Sequence, residues 1–434
     1  MSTASAKRVV ILGAGFAGLS AARRLKGAPV DVTVIDKRNY HLFQPFLYQV
    51  ATAALNPSEV AWPIRSILRG QSNAKTLLAD VEDIDAERKV VRTNRGETPY
   101  DVLVVATGAK HSYFGNPEWE AHAPGLKRIM DATEIRKRLL LAFERAETTD
   151  DEAERRQLMT FVVVGGGPTG VEMAGAIAEL AHHCLENDFR HIDPKDARIM
   201  LVEGGERILS TYPPDLSDYA KRALERLGVE VVLNQLVSVR PGEGAEIAGE
   251  VVPASAIVWG AGVTVPRVAK WFGLETDKTG RVEVGADLRL AGHDDVFVIG
   301  DAAKMHNPDG SPVPGLAPAA KQAGRYVAKA IAAAARGEAA PGPFEYTHLG
   351  SMATIGRNEA VADFGRVKLR GRLAWWLWGL SHIYFLIGSR SKAVVAMQWL
   401  WYYLTYDKGA RLITGLEPLS RTQPVDQRAP HPAE

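Results

Sequence analysis

Cysteine is almost missing from this chain: Cys184 is the only one in 434 residues. A single thiol cannot form an internal disulfide, a CxxC redox pair or a cysteine-based metal cage, so any redox chemistry needs a bound cofactor. Net charge is scarce too. Lys plus Arg number 52 against 51 for Asp plus Glu, a formal +1. That leaves no whole-molecule basic field to hold a phosphate polymer, and nucleic acid is excluded as an expected partner. No stretch of about 18 residues is uninterrupted and apolar enough to read as a spanning helix. The opening MSTASAKRVV runs straight into a β-like segment without a secretory h-region, which favours a cytosolic chain.

What the chain does have is glycine, 40 residues of it, and length enough for about two or three domains. From Arg8, RVVILGAGFAGLSAARRL is a β-branched run, a glycine turn and an alanine-rich helix pattern, and VDVTVID then ends a second strand on Asp36. The pattern repeats from Phe161: FVVVGGGPTGVEMAGAIAELA, then ARIMLVEGG, a strand ending on Glu203. YDVLVVATGA between them is a buried-type strand leaving through Thr107 and Gly108, and DVFVIGDAA is another, leading toward the long helix pattern GLAPAAKQAGRYVAKAIAAAARG.

Each glycine in such a turn has a separate task. Gly13 permits the tight turn, Gly15 lets backbone approach a pyrophosphate, and Gly18 lets helix and strand pack closely. The pyrophosphate then sits at the positive end of a helix. Asp36, 18 residues past Gly18, stands where a carboxylate accepts hydrogen bonds from a ribose. Gly165, Gly167 and Gly170 repeat the arrangement, with Glu203 as the ribose acid after a longer connection of 33 residues. An acid there repels a 2′-phosphate, which favours NADH over NADPH, although Arg207 stands nearby.

Two dinucleotide units in one chain is the plan of flavoprotein reductases. The segments ILGAGFAGLSAARRL, VIDKRNYHLFQPFLYQVATAALNP, VVATGA, VVVGGGPTGVEMAGAIAEL and VFVIGDAA together resemble the type II NADH:quinone oxidoreductases, up to about Leu412. The resemblance implies FAD on the first unit and NADH on the second. It places Gly300 and Asp301 on the flavin's ribityl and phosphate region, Thr107 and Gly108 along the same cofactor, and Asp36 on its adenosine ribose. Asp301 also reads as a helix-capping acid, and the two readings are compatible. Disulfide and sulfide chemistry, found on related folds, would need more cysteines than Cys184.

Glu172, in the first turn of the helix receiving NADH, is favoured there by the helix dipole, and the resemblance implies a place near nicotinamide and flavin. Its expected role is orienting the nicotinamide or proton uptake by the quinone. The family's quinone-side AQxAxQ motif corresponds to APAAKQ here: Gln322 is retained, Pro318 replaces the first glutamine, and Lys321 fills a variable position. Gln322 and Lys321 are the expected contacts to a quinone carbonyl or the flavin edge, a solvated helix face being the alternative. The aromatic and amide segment from Tyr40 to Leu55 is expected to be a loop folded over a flat ring, with Tyr48 and Gln49 facing the site and Phe43, Phe46 and Leu47 open to a core reading.

Near the C-terminus the charge balance breaks. From Phe364 to Tyr406 stand six Lys or Arg residues and no Asp or Glu, and five of the nine tryptophans fall between Trp375 and Trp401. Arg366, Lys368, Arg370 and Arg372 alternate along an expected strand with one basic face. LAWWLWGLSHIYFLIG and AVVAMQWLWYY are expected helices flanking a turn at SRSK. The first, 16 residues, spans about 24 Å as a helix, short of a ~30 Å hydrocarbon core. Trp and Tyr at headgroup depth with basic residues toward anionic lipid fit an interfacial segment; a dimer interface is the main alternative, a membrane-spanning hairpin the lesser one.

The expected fold is therefore α/β, with two Rossmann-like dinucleotide-binding domains for FAD and NADH plus a C-terminal membrane-associating α+β segment. Residues 1–115 and 285–335 are assigned to FAD, 116–284 to NADH, 344–415 to the membrane-associating region and 416–434 to a disordered tail. The expected activity passes hydride from NADH to FAD and two electrons on to a membrane quinone without pumping protons, at the cytoplasmic face of the cell membrane, by a peripheral, monotopic protein that is a monomer or a homodimer. Two alternatives stand beside it: a soluble NAD(P)H-dependent reductase of a small iron–sulfur protein, and a flavin-bound redox sensor or scaffold.

Overall fold

Val9 to Leu12 are buried on both sides of strand β1 (Lys7–Leu12), which explains why the run is continuously apolar instead of alternating. A glycine turn leads to helix α1 (Phe16–Arg24), followed by β2 (Val30–Asp36), β3 (Ala74–Leu78) and β4 (Val102–Val105). These strands lie in the order β3, β2, β1, β4, all parallel. The same build recurs in β5 (Thr160–Val164), α2 (Pro168–Glu179), β6 (Arg198–Val202), β7 (Val229–Val232) and β8 (Ala256–Trp259), a parallel sheet ordered β7, β6, β5, β8. In both sheets the strand order reverses at the strand that precedes the glycine turn, which opens a crevice at its carboxyl end.

The chain then rejoins the first sheet. β9 (Arg289–Leu290) and β10 (His293–Val298) extend it beyond β4, with β10 parallel to β4 and β9 antiparallel at the edge. The long helix α3 (Ala317–Arg336) follows and lies across α1. A Cβ on Gly324 would stand 2.2 Å from the Ala17 carbonyl oxygen, so the two helices approach this closely only with glycine there.

Beyond α3 come an antiparallel sheet of β11 (Ser351–Gly356), β12 (Glu359–Asp363) and β13 (Lys368–Arg370), then helices α4 (Gly371–Phe385) and α5 (Ser389–Thr405). The structure, a computed structural model, describes residues 6–265, 267–405 and 407–415, so the expected tail at 416–434 lies outside the described residues. Among the described residues no helix is long and apolar enough to cross a membrane.

Three local expectations change. The basic strand stops at Arg370 because α4 starts at Gly371, and its charges are partly engaged: Lys368 pairs with Asp215 at 2.8 Å and Arg370 lies over the Tyr219 ring. The reversal between the aromatic helices falls on Leu386 to Gly388, before the SRSK segment, whose residues form the first turn of α5. Gly388 takes a φ of +84°, a conformation costly for the side-chain-bearing residues of SRSK. Tyr40 to Leu55 is not an open loop. It forms a short strand (Tyr40–Leu42) and two helical pieces (Gln44–Phe46, Leu47–Ala51), with Phe43, Phe46 and Leu47 buried in the core.

The C-terminal sheet sits on α2. A Cβ at Gly175 would meet the Ile355 carbonyl oxygen at 1.7 Å. Four residues further on, Glu179 accepts hydrogen bonds from the Arg357 N–H and from the Tyr402 hydroxyl, the latter at 2.9 Å, tying α2 to both β11's end and α5. Gly175→Ala is expected to force α2 and β11 apart and destabilise the protein by about 1–3 kcal/mol or more, seen as a lower melting temperature and preferential proteolysis of the region after Gly350. An unchanged melt would show that this contact is dispensable.

Candidate functional site

The two glycine turns are built alike. Gly13 and Gly165 have φ of +96° and +101°, and a Cβ on either would strike backbone, the Ala106 oxygen at 2.4 Å or the Ala261 nitrogen at 2.9 Å. Gly18 and Gly170 press on the first glycine of their own turn, where a Cβ would stand 1.9 and 1.8 Å from the Gly13 and Gly165 oxygens. Gly15 and Gly167 are different: nothing lies within 4 Å of where a Cβ would be. That open space lies at a helix N-terminus, where backbone can approach a pyrophosphate.

The two acids are also equivalent. Asp36 Oδ2 accepts from the Ala14 N–H at 2.7 Å and Oδ1 from the Arg38 N–H at 2.8 Å. Glu203 Oε2 accepts from the Gly166 N–H at 2.5 Å and Oε1 from the Gly205 N–H at 2.7 Å. Each carboxylate thus stands beside its turn with its strand end locked in place. Arg207, the caution against NADH, donates to the carbonyl oxygens of Tyr212 and Ser210 at 2.9 and 2.8 Å and so is engaged by its own loop.

A cavity of about 1320 Å³ runs from the first turn to α4. Gly13, Gly15, Asp36, Thr107 and Gly108 line one end, Gly300 and Asp301 its wall. Glu172, Lys321 and Gln322 line it further on, and it touches the second turn at Pro168 and Thr169 while Gly165, Gly167, Gly170 and Glu203 lie outside its lining. The volume exceeds the roughly 300–1,000 Å³ of a site for one small ligand. With open space at Gly15 and the acid at Asp36, the residues present fit a dinucleotide on the first turn and leave room for a second ring system.

Burial governs the titratable groups here. Glu172 has its carboxyl pushed up to about 8 by desolvation, which a hydrogen bond from the Thr354 backbone on β11 only partly offsets. Asp301 is raised by burial, with Lys127 and Arg281 pulling the other way, and burial lowers Lys127. His41 and His382 are held down to about 4, chiefly by burial. Both rings keep Nδ1 at 2.8 Å from a carbonyl oxygen, of Ala14 and Trp378 respectively, so that nitrogen carries the proton.

Gln322 and Lys321 part ways. Both amide atoms of Gln322 are used by Thr347: Nε2 donates to the Thr347 oxygen at 2.8 Å, and the Thr347 N–H donates to Oε1 at 3.0 Å. Gln322 is therefore a tether for the segment entering β11, not a free amide. Lys321 Nζ lies 5.0 Å from the Phe16 ring centre and 4.8 Å from that of Phe385. Tyr48 lines the cavity while Gln49 bridges it to α5, donating to the Tyr48 hydroxyl and accepting from Trp399 Nε1 at 2.8 Å.

Sequence reasoning missed Phe16, Lys127, His382 and Phe385. Phe16 is signalled by its place inside GAGFAG, at the mouth of the turn. The others are distant in the chain and carry no local signature.

Because the folded state prefers protonated Glu172 while the unfolded carboxyl ionises near 4.5, this group takes stability away as pH rises from about 4.5 to 8 and takes no more above that. Glu172→Gln removes the effect. The variant's melting temperature is expected to match the original at pH 4 and to exceed it progressively up to about pH 8; a constant difference across that range would show that Glu172 is not raised.

Comparison with known proteins adds the family. The family model for pyridine nucleotide-disulphide oxidoreductases matches residues 7–324, and that for the NDH2 C-terminal domain matches residues 348–405. The type II NADH:quinone oxidoreductase Ndh of Mycobacterium tuberculosis is 43% identical, over 98% of this chain and 94% of its own length. The internal alternative NAD(P)H-ubiquinone oxidoreductase A1, mitochondrial, of Arabidopsis thaliana is 31% identical over 91% and 83%. The solved structure of NDH2 from Plasmodium falciparum in complex with NADH shares the fold, with a TM-score of 0.82 over 92% of this chain and 99% of that one at 21% identity. The paired glycine turns, the cavity running from the first of them to α4, and 43% identity over 98% of the chain agree: the chain belongs to the type II NADH:quinone oxidoreductase family.

Proposed function

We infer that this protein oxidises NADH and reduces a quinone, with FAD as resident cofactor and without pumping protons. The observation that carries the reading is the cavity reaching from the Gly13 turn past Glu172 to the inner side of α4. FAD, when bound, accepts hydride from nicotinamide and returns two electrons to a quinone. The chain supplies position and exclusion of water. Asp36 and the open turn at Gly15 hold the adenosine and pyrophosphate, Thr107, Gly108, Gly300 and Asp301 line the rest of the cofactor, and the second turn with Glu203 holds NADH. Glu172, facing the cavity with a pKa near 8, can hold or yield a proton at neutral pH. Overall, NADH, one proton and the quinone become NAD⁺ and quinol.

The exposed faces of α4 and α5 support lipid contact. Leu373, Trp376, Leu377, Leu380 and Tyr384 are exposed along one stripe of α4, and Met397, Leu400, Trp401 and Leu404 along one of α5. Arg366, Arg390 and Lys392 beside them form no ion pair among the described residues. An exposed apolar face with unpaired cations fits a membrane surface rich in anionic lipid, as the cytoplasmic leaflet is, better than it fits an iron–sulfur protein. The other use of such a face, pairing of two copies, predicts a dimer that persists without lipid.

Anaerobic mixing of the flavin-loaded protein with NADH is expected to bleach the flavin, and a quinone to restore its colour. Bleaching that no quinone reverses would sink the quinone reading and favour the iron–sulfur reductase. Separately, flotation with anionic vesicles is expected to carry the protein, and Leu380→Glu with Leu404→Glu to weaken that partition at least about tenfold; an undiminished partition would show that these stripes do not meet lipid.

A further inference from the structure

Three hydrogen bonds clamp each glycine turn, and one of the three is made differently in the two copies. The first N–H of the turn donates to the strand alongside, Gly13 to the Ile35 carbonyl oxygen and Gly165 to that of Val202, both at 2.8 Å. The next N–H, of Ala14 or Gly166, goes to the acid, Asp36 or Glu203. The third bond is accepted by the carbonyl oxygen of that same residue. On the second turn the Gly166 oxygen accepts from the Leu209 backbone N–H at 2.7 Å. On the first, the Ala14 oxygen accepts from a side chain, His41 Nδ1, at 2.8 Å.

The Ala14 carbonyl and the Gly15 N–H belong to one peptide unit, and no peptide bond among the described residues is cis, so the two groups point in opposite directions. A bond that draws the carbonyl inward therefore turns the Gly15 N–H outward. That is the side on which Gly15 has open space, at the N-terminus of α1 and on the cavity wall.

Resting on FAD as the occupant of the first turn, we propose that His41 is a positioning residue for that cofactor: it holds the Ala14–Gly15 peptide so that the Gly15 N–H is presented to the FAD pyrophosphate. His41 acts through Ala14 and not by contact, since its ring is only 2% exposed and does not line the cavity, whereas Gly13, Ala14, Gly15 and Phe16 do. Its own place is fixed from two sides. It is the middle residue of the short strand Tyr40–Leu42, opposite Trp62 on the neighbouring strand, and its ring meets that of Phe16 edge-on with centres 5.3 Å apart. Burial keeps the ring neutral, so the clamp is an uncharged donor. The second turn is the internal comparison: what both copies require is a held carbonyl, and the first copy, with no backbone N–H in that place, spends a buried histidine on it.

The test follows FAD release from the holoenzyme, read as the rise in flavin fluorescence, and the phosphorus NMR resonances of the bound pyrophosphate, in the original protein, His41→Asn, His41→Gln and His41→Phe. The amide nitrogen of asparagine stands where Nδ1 stands and can donate to the Ala14 oxygen; that of glutamine reaches toward the Nε2 position, and phenylalanine has no donor. An unpaired Ala14 oxygen is expected to speed FAD release about 10- to 100-fold in His41→Phe and His41→Gln and to displace the phosphorus resonances, with His41→Asn staying close to the original in both. The NADH concentration that half-saturates flavin reduction, set at the second turn, is expected to move by less than about twofold. FAD release as slow in His41→Phe and His41→Gln as in the original would overturn the proposal. So would slower release from His41→Gln than from His41→Asn, which marks a role in filling space, or loss of NADH affinity in step with loss of FAD, which marks a general loosening. If His41→Phe does not fold, the comparison of His41→Asn with His41→Gln decides alone. If the original protein itself holds no FAD, the failure belongs to the cofactor reading and not to His41.

Discussion

Backbone lying directly on backbone is the constraint on which the rest of this structure depends. At Gly18 and Gly170 the helix of each unit is pressed onto its own turn, at Gly324 α3 lies against α1, and at Gly175 the C-terminal sheet lies against α2. In each place a single methyl group would stand within about 2.2 Å of a carbonyl oxygen. The consequence is positional. The second contact sets the start of α2 against the cavity, with Glu172 in the second turn of that helix and not the expected first; the third sets Lys321 beside Phe16; the fourth brings Thr354 to the Glu172 carboxylate.

The cavity and its surroundings suppress charge. Glu172 and Asp301 are raised, Lys127 and Lys321 lowered, and His382 kept neutral along the cavity, as is His41 behind its lining, in each case chiefly by desolvation. Such surroundings suit a transfer of hydride between stacked rings, which needs order and dryness more than acid or base. Glu172 and Lys321, each brought to about 8 by burial, are the groups lining the cavity that titrate nearest to neutrality.

Outside the cavity the charges are arranged differently. The formal +1 is a cancellation, because the stretch from Phe364 to Tyr406 carries six basic residues and no acids, which leaves 46 basic against 51 acidic elsewhere. The folded protein offsets part of that surplus, since Lys368 pairs with Asp215, while Arg372 is engaged by the Tyr403 hydroxyl without losing its charge. Arg366, Arg390 and Lys392 form no ion pair among the described residues, and Lys392 donates to the Tyr384 carbonyl oxygen at 2.7 Å, so the surplus does not lie along one basic strand.

Local sequence determined whatever depends on neighbours in the chain. The two β-turn-helix units, the steric tasks of Gly13, Gly18, Gly165 and Gly170, and the acids at the end of β2 and just after β6 were legible, since each is a short-range steric or electrostatic requirement. The single cysteine likewise excludes an internal disulfide or a CxxC redox pair. Tertiary structure decided what depends on approach between distant segments. Tyr40 to Leu55 folded into the core because α5 supplies Trp399 to satisfy Gln49. Gln322 became a tether because Thr347 reached it first. His382, Phe385 and Phe16 came together with Lys321 although more than 300 residues separate the ends of that group. A pattern along the chain shows which face of a helix is apolar, but which backbone it touches is set by packing, and here packing is set by glycines whose partners lie far away in sequence.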